Sequence, residues 1–282
     1  MPLVINTNIA SMNAQRFLGA NTNALDKSTE RLASGYRINK AGDDAAGLAL
    51  SEKLRSQIRG GQKALDNVQD GINVLNIADG AMQGITNYLQ RMRELSVQAG
   101  NDTYNTAQRS SIKAEIDQLA SGITQISDAT QFNGVSLLNG TSPATGMRLQ
   151  IGANSTSGVD TLDVGGQGVF ADIDAVALAV NGLNVDTGTN ALTSIAALDT
   201  AISTVNTRRG NIGALTNRLE ATATNLSSIV ENTSASESRI RNVDVAAESS
   251  NLSRNQVLQQ AAAAMLSQAN QSPQLALQLL RG

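Results

Sequence analysis

Between residues 198 and 240 an apolar side chain recurs at every seventh position. Leu198, Val205, Ile212, Leu219, Leu226 and Ile240 sit on this grid, broken only by Thr233. A sustained seven-residue apolar repeat keeps one seam of an α-helix turned toward a partner, so this stretch is constrained to a long coiled-coil helix. Ile195, Ile202 and Ile229 lie on a neighbouring line and are expected to widen that seam.

The rest of the chain supplies the partners. Leu18, Leu25 and Leu32 recur every seven residues before "SGYRINKAGDD", where Gly35 and Gly42 punctuate the pattern. Asp43 or Asp44 can then cap a new helix by accepting from its orphan backbone N–H groups. That helix carries Leu65, Val68, Ile72, Leu75, Met82, Leu89 and Met92 along one side and runs to about Ala99, with Gly60-Gly61 as a weak point. At 1.5 Å per residue it is roughly 80 Å long. After "AGNDTYNTAQ", Ile112, Ile116, Leu119, Ile123 and Ile126 predict one shorter helix, and the short link makes the two antiparallel. From "QFNGVSLLNG" to about Val185, turn residues flank short runs such as "MRLQIGA" and "DTLDV", which read as one or two β-hairpins. The segment "FADIDAVALAVNGLNV" fits a short helix or a strand. Beyond the grid, Leu258, Met265 and Leu279 form a new apolar line flanked by Ala262, Ala269 and Ala276, and Ser272-Pro273 suggests a kink or restart.

The expected fold is therefore mainly α: a long antiparallel helical coiled-coil rod with N- and C-terminal helices paired, plus a small β-hairpin region mid-chain. Three units are expected. Residues 1–44 and 243–282 form a terminal-helix domain, 45–150 and 190–242 a helical domain around it, and 151–189 a short turn-rich segment. Aromatics are only 2% and Trp is absent, so the core must come from Leu, Ile, Val, Met and Ala. Both ends are apolar, with Leu3, Val4, Ile5, Ile9 and Met12 at one and Leu275, Leu277, Leu279 and Leu280 at the other. Chain ends ordinarily fray unless something ties them down, so this surface needs a cover.

Most chemistry is excluded. The chain has no His and no Cys, which removes the commonest general base, the commonest metal ligand, disulfides and thiolate catalysis. No catalytic motif or Walker loop is present, and no cofactor or metal is expected. Gly42-Asp43-Asp44 reads as an acidic helix start, and "DVGGQGVFAD" as a flexible turn without the Lys or context of a phosphate loop. A net charge of −3 argues against nucleic acid, and no stretch approaches the roughly 20 apolar residues of a membrane span. Polar residues interrupt "VINTNIASMNAQ", so no secretory signal is read there, and either a cytosolic location or export without a cleaved signal is expected.

One surface segment admits two readings. In "LQRMRELSVQAGN", Leu89, Met92 and Leu95 can face the core while Arg91, Arg93 and Glu94 are solvated, with Gly100 or Asn101 as C-cap. Alternatively Arg91 and Leu95, one turn apart, form a binding patch.

The chain resembles a known family, bacterial flagellin, the subunit of the flagellar filament. The resemblance rests on "INTNIASMNAQ", "RLASGYRINKAGDDAAGLA", "LQRMRELSVQAGN", "QFNGVSLLNG", "NRLEATATNL" and "NLSRNQVLQQAAAAMLSQANQSPQLALQLLRG", in the family's order over roughly the first 150 and last 90 residues. It implies a non-enzymatic structural protein that self-polymerises for swimming motility, located in the extracellular filament. The terminal helices would form the inner tube and order only on assembly, with Ile9, Leu18, Leu25, Leu32, Leu258, Met265, Leu279 and Leu280 packing there. It further implies type III export, a chaperone over the C-terminal region, and hook–filament junction and cap proteins as neighbours. Finally, the resemblance favours the patch reading: Arg91 and Leu95, with Gln90, Gln98 and Glu115, match positions where Toll-like receptor 5 binds free subunits.

Physical accounting agrees with coupled folding and assembly. Burying a Leu-sized side chain contributes about 1.5–3 kcal/mol, whereas ordering each residue costs about 1–2 kcal/mol. A thin pair of terminal helices is near break-even alone. The competing expectations are a hook–filament junction protein, a flagellin with an enzymatic insert, and a free-standing coiled-coil scaffold whose ends are ordered in the dilute monomer.

Overall fold

The computed structural model describes residues 7–140, 146–156, 158–165 and 168–281, with side chains described as far as residue 271. Leu3, Val4 and Ile5, and the side chains of Leu275, Leu277, Leu279 and Leu280, lie outside the described residues. Helices α1 (Ile9–Ser34), α2 (Ala45–Ala99), α3 (Thr106–Ala129), α4 (Gly188–Arg241) and α5 (Val245–Arg281) dominate the chain. Between α3 and α4 lie two antiparallel strand pairs: β1 (Gln131–Phe132) with β2 (Val135–Ser136), and β3 (Arg148–Gln150) with β4 (Thr161–Asp163). The mainly helical class and the mid-chain hairpins expected from the sequence are therefore present. Helix α5 passes through Ser272-Pro273 without the expected restart.

Two compact units divide the chain: Met1–Ser56 with Thr233–Gly282, and Gln57–Asn232. These limits fall inside α2 and α4, not at 44/45 and 242/243 where the sequence suggested them.

In the unit Gln57–Asn232, α2 and α4 run antiparallel. Asp79 pairs with Arg209 at 2.8 Å and Arg93 with Asp199 at 2.6 Å. The heptad grid of α4 is buried from Leu198 to Leu226. Ala191 extends this grid by one step, and its second row is Ser194, Ala201 and Leu215, whereas Ile229 is exposed. Of the expected line of isoleucines, Ile195 is half-buried and Ile202 packs against the core cluster, so they flank the seam and only Ile229 leaves it. On α2 small side chains hide a heptad phase: Gly61, Ala64, Val68, Gly71, Leu75, Ala78, Met82, Ile85, Leu89, Met92, Ser96 and Ala99 alternate by three and four, and all are buried. Helix α3, opened by a reciprocal Asn105–Gln108 capping box, lays Ile112, Ile116, Ala120 and Ile123 into the same core.

The turn-rich segment does not stand apart. Val164, Val169, Phe170, Ile173, Val180 and Val185 are buried in the core cluster, so 151–189 belongs to this unit. "FADIDAVALAVNGLNV" is neither helix nor strand but a run of turns. Asp172 and Asp174 accept from backbone N–H groups two and three residues on, and Ala179 and Gly182 take positive φ. Asn133-Gly134, both at positive φ, make the tight turn between β1 and β2.

The Gly60-Gly61 pair is a packing device in a continuous helix rather than a weak point. A Cβ on Gly60 would lie 2.9 Å from the Cβ of Ala153, and one on Gly61 would lie 2.6 Å from Val230.

In the other unit, α1 pairs with α5. The segments leading out of α1 and α4 meet in a short antiparallel bridge, Tyr36 to Asn242, with Arg37 N donating to Arg241 O at 2.6 Å and Val243 N to Gly35 O at 3.0 Å. Arg241 lies 4.7 Å over the Tyr36 ring and pairs with Glu52 at 2.6 Å, and Ile38 is buried. Gly35, at φ 74°, closes α1 in the left-handed conformation that glycine adopts without strain.

Candidate functional site

Two surfaces stand out. The first belongs to the terminal helix pair. On α1 the side turned to α5 is Ser11, Ala14, Leu18, Asn21, Leu25, Ser28 and Leu32. On α5 it is Glu248, Leu252, Asn255, Gln259, Ala262, Leu266 and Ala269. The sequence-predicted Leu18, Leu25 and Leu32 are thus in the seam, half-buried. Much of that seam is polar. Asn8 Nδ2 donates to Ala269 O at 2.8 Å and Ser11 Oγ to Asn270 Oδ1 at 2.8 Å. Gln259 Nε2 donates to Thr22 Oγ1 at 3.3 Å and Asn255 Nδ2 to Ser28 Oγ at 3.4 Å, while Arg31 lies 3.6 Å from the buried Glu248 carboxylate. These cross-links fix an antiparallel register from one end of the pair to the other.

Beside the seam leucines, a second set of large apolar side chains stays exposed. Ile9, Met12, Phe17, Val257, Leu258 and Met265 are between 44% and 65% exposed. Phe17, Leu258 and Met265 stand along a groove of about 480 Å³ whose remaining walls include Ala10, Ala14, Ala261, Ala262 and Ala269. The predicted packing residues therefore divide: Leu18, Leu25 and Leu32 meet α5, whereas Ile9, Leu258 and Met265 are left open in the single chain. The predicted Leu279 and Leu280 side chains lie outside the described residues. The polar half of the seam was missed in the sequence because its members are common surface residues; only their three–four spacing could have shown it.

At the base of this unit, Asp43 and Asp44 do what an acidic helix start does. Asp44 Oδ1 accepts from Gly47 N at 2.8 Å, opening α2. Asp43 contacts Lys27 at 2.6 Å and accepts from the Lys40 and Asn39 N–H groups. The Lys27 bond and these backbone donors lower its carboxyl to about 2. Among the described residues there is no acidic cluster able to hold a metal ion, and no helix is long and apolar enough to cross a membrane.

The second surface lies on α2 and α3. Arg91 donates to Glu115 Oε1 through Nη2 at 2.9 Å and Nε at 3.1 Å, and to Glu94 at 3.2 Å. Glu115, then Glu94, hold its guanidinium above the ordinary arginine range. Gln90 and Gln98 are exposed on the same helix, and Gln98 Nε2 donates to Tyr104 Oη at 2.9 Å. Leu95 does not share this surface. It is 2% exposed and belongs to the core cluster with Met92 and Ala99. Residues four apart differ by about 40° around a helix, and the edge of the buried side falls between Arg91 and Leu95. The solvated-helix reading thus describes Leu95, while Arg91 and Glu115 form an exposed charged pair.

Comparison with known proteins settles the family. The sequence profile described as the bacterial flagellin N-terminal helical region matches residues 5–143, and that of the C-terminal helical region matches residues 195–280. The chain belongs to the bacterial flagellin family. It is 45% identical to a flagellin of Halalkalibacterium halodurans, over 99% of this chain and 100% of that protein. It is 46% identical to a flagellin of Bacillus subtilis, over 98% of this chain and 99% of the relative. In fold, a structure from Vibrio parahaemolyticus titled as a flagellar hook-associated protein superposes with a TM-score of 0.56 at 17% identity, over 71% of this chain and all of that one. Membership makes the chain a structural subunit of the bacterial flagellar filament, a polymer of like copies.

Proposed function

We propose that the chain polymerises through the outward apolar side of its terminal helix pair, which takes its final order only when neighbouring copies cover it. The observation that carries this reading is the apolar surface that the pair leaves open. Its internal seam mixes five leucines with Ser, Asn, Gln, Glu and Ala, while Ile9, Phe17, Val257, Leu258 and Met265 remain open. Contiguous apolar surface of this kind on a soluble chain marks an interaction site. A copy-to-copy contact that does not close on itself generates an open helical filament. Export through the flagellar type III apparatus, a chaperone over α5 until then, and junction and cap proteins at the filament ends complete the proposal.

The test is polymer growth. Leu258→Asp buries a charge in the contact and is expected to abolish filaments in electron micrographs, while the urea midpoint of the unit Gln57–Asn232 stays unchanged. Filaments of ordinary length from this variant would defeat the proposal. So would protease-resistant terminal helices in dilute monomer, the behaviour of a free-standing coiled coil. Short caps in place of long filaments would favour the hook–filament junction alternative.

A second part of the proposal concerns the free subunit. The exposed Arg91–Glu115 pair, with Gln90 and Gln98 beside it, offers Toll-like receptor 5 a charged surface, and Leu95 supports the pair from beneath. Arg91→Ala is expected to weaken signalling in a receptor reporter assay at least tenfold. An unchanged response would remove this surface from consideration.

A further inference from the structure

The chain contains no Cys, His or Trp, so its six methionines are its most readily oxidised side chains. They are not equally placed. Met82 and Met92 are fully buried in the core of the unit Gln57–Asn232. Met12 and Met265 are 62% and 65% exposed, and of these only Met265 lines the α1–α5 groove, with Phe17 and Leu258.

We propose that Met265 is a redox-sensitive modification site at which peroxide governs the subunit's competence to polymerise. The inference rests on the proposed assembly role of this groove. In the reaction the thioether sulfur takes one oxygen atom from hydrogen peroxide, forming the sulfoxide and releasing water. Sulfur is oxidised by two electrons and the peroxide reduced by two. The product is a polar, strongly accepting S=O group on what was an apolar, adaptable side chain. The described groove walls are mostly Ala, Leu and Phe, with Asn13 and Asn21 as the polar members. A sulfoxide buried there against a neighbouring copy loses its water without gaining a full set of donors. The cost falls on association alone, because Met265 in the free subunit is solvated and its oxidation leaves the core untouched. Burial in a finished filament shields the sulfur, so oxidation acts on subunits awaiting incorporation.

The experiment treats purified full-length subunit with dilute hydrogen peroxide, maps the added oxygens by peptide mass spectrometry, and measures the concentration needed for polymerisation. Met12 and Met265 are expected to gain oxygen while Met82 and Met92 do not. The required concentration is expected to rise about tenfold or more, and methionine sulfoxide reductase is expected to restore it. Met265→Leu is close in volume and is expected to polymerise normally before and after peroxide. Met12→Leu is expected to remain sensitive. Met265→Gln, a permanent polar replacement, should polymerise poorly without any oxidant, with unchanged circular dichroism of the helices. The inference is overturned if Met265→Leu loses polymerisation on oxidation as wild type does, or if fully oxidised Met265 leaves assembly unaltered. The Leu258→Asp test separates the two levels. If that variant forms normal filaments, the groove reading itself fails. If it is blocked while oxidation at Met265 is harmless, only the redox inference falls.

Discussion

Two glycines of α2 offer a sign test of how this fold is packed. In the helix interior, Gly→Ala is worth about 0.5–1 kcal/mol of stabilisation through reduced backbone entropy, provided the new methyl group has room. At Gly80 nothing lies within 4 Å of the added Cβ, so the full gain is expected. At Gly60 the Cβ would lie 2.9 Å from the Cβ of Ala153, 3.3 Å from its Cα and 3.5 Å from its carbonyl oxygen. Two of those atoms are backbone. The bend that carries them follows directly on β3 and is anchored there, with Ile151 N donating to Asp160 O at 2.7 Å and Asn67 Nδ2 to Gln150 O at 3.0 Å. Relief therefore means displacing this bend from α2, and overpacking of this kind costs about 1–3 kcal/mol. Gly60→Ala is expected to be neutral to destabilising by about 2 kcal/mol, and Gly80→Ala to raise stability by up to about 1 kcal/mol. For a unit of this size each kcal/mol shifts Tm by about 2–4 °C. Urea unfolding of dilute monomer at fixed m-value reads the difference. If Gly60→Ala raised the midpoint as much as Gly80→Ala, the close approach of this bend to α2 would be wrong, and Gly60 would be only a flexible point in a helix.

Three further outcomes follow from positions described above. Leu219→Ala, at a fully buried seam position of α4, is expected to cost about 2–5 kcal/mol in the same urea assay. Asn105→Ala removes the half of the α3 capping box in which Asn105 Oδ1 accepts from Gln108 N and is expected to cost about 1 kcal/mol, with near-complete rescue by Asn105→Asp. Asp43 has its folded carboxyl lowered to about 2 from an ordinary 3.8, so its contribution is complete above pH 4 and is lost as pH falls toward 2. Filaments of Asp43→Asn should therefore melt below wild type at pH 6, and the gap should close by pH 2. A gap independent of pH would assign Asp43 another role.

The legibility of the sequence tracked side-chain size. Large residues on a seven-residue grid, Leu198 to Leu226, announced the α4 seam, and the same holds for Leu18, Leu25 and Leu32 on α1. Where the seam is made of Gly, Ala and Ser, as on α2 at Gly61, Ala64, Gly71, Ala78 and Ser96, the repeat is equally regular but carries no hydrophobic signal. The eye then follows nearby isoleucines, and Ile229 was misplaced for that reason. The 170–185 segment stayed ambiguous because its burial depends on non-local contacts, while its Asp caps and the positive φ of Ala179 leave only a faint trace in composition. For the candidate surfaces, charge was informative and apolarity was not. Arg91 and Glu115 declare themselves, and the spacing allows Leu95 on the core side without deciding against the patch, yet nothing in it says that Leu258 and Met265 turn outward. Orientation at the edge of a buried side is decided by a few tens of degrees of helix rotation, which periodicity alone resolves poorly.

The hydroxyl and amide rungs between α1 and α5 have a consequence for how a subunit is handled. Such rungs tell two strands where to meet without rewarding them much for meeting, since each exchanges one solvent partner for one protein partner. Two helices brought together along these rungs find one alignment, while the leucines set between them supply the attraction. Addressing and adhesion are thereby assigned to different side chains of the same two helices.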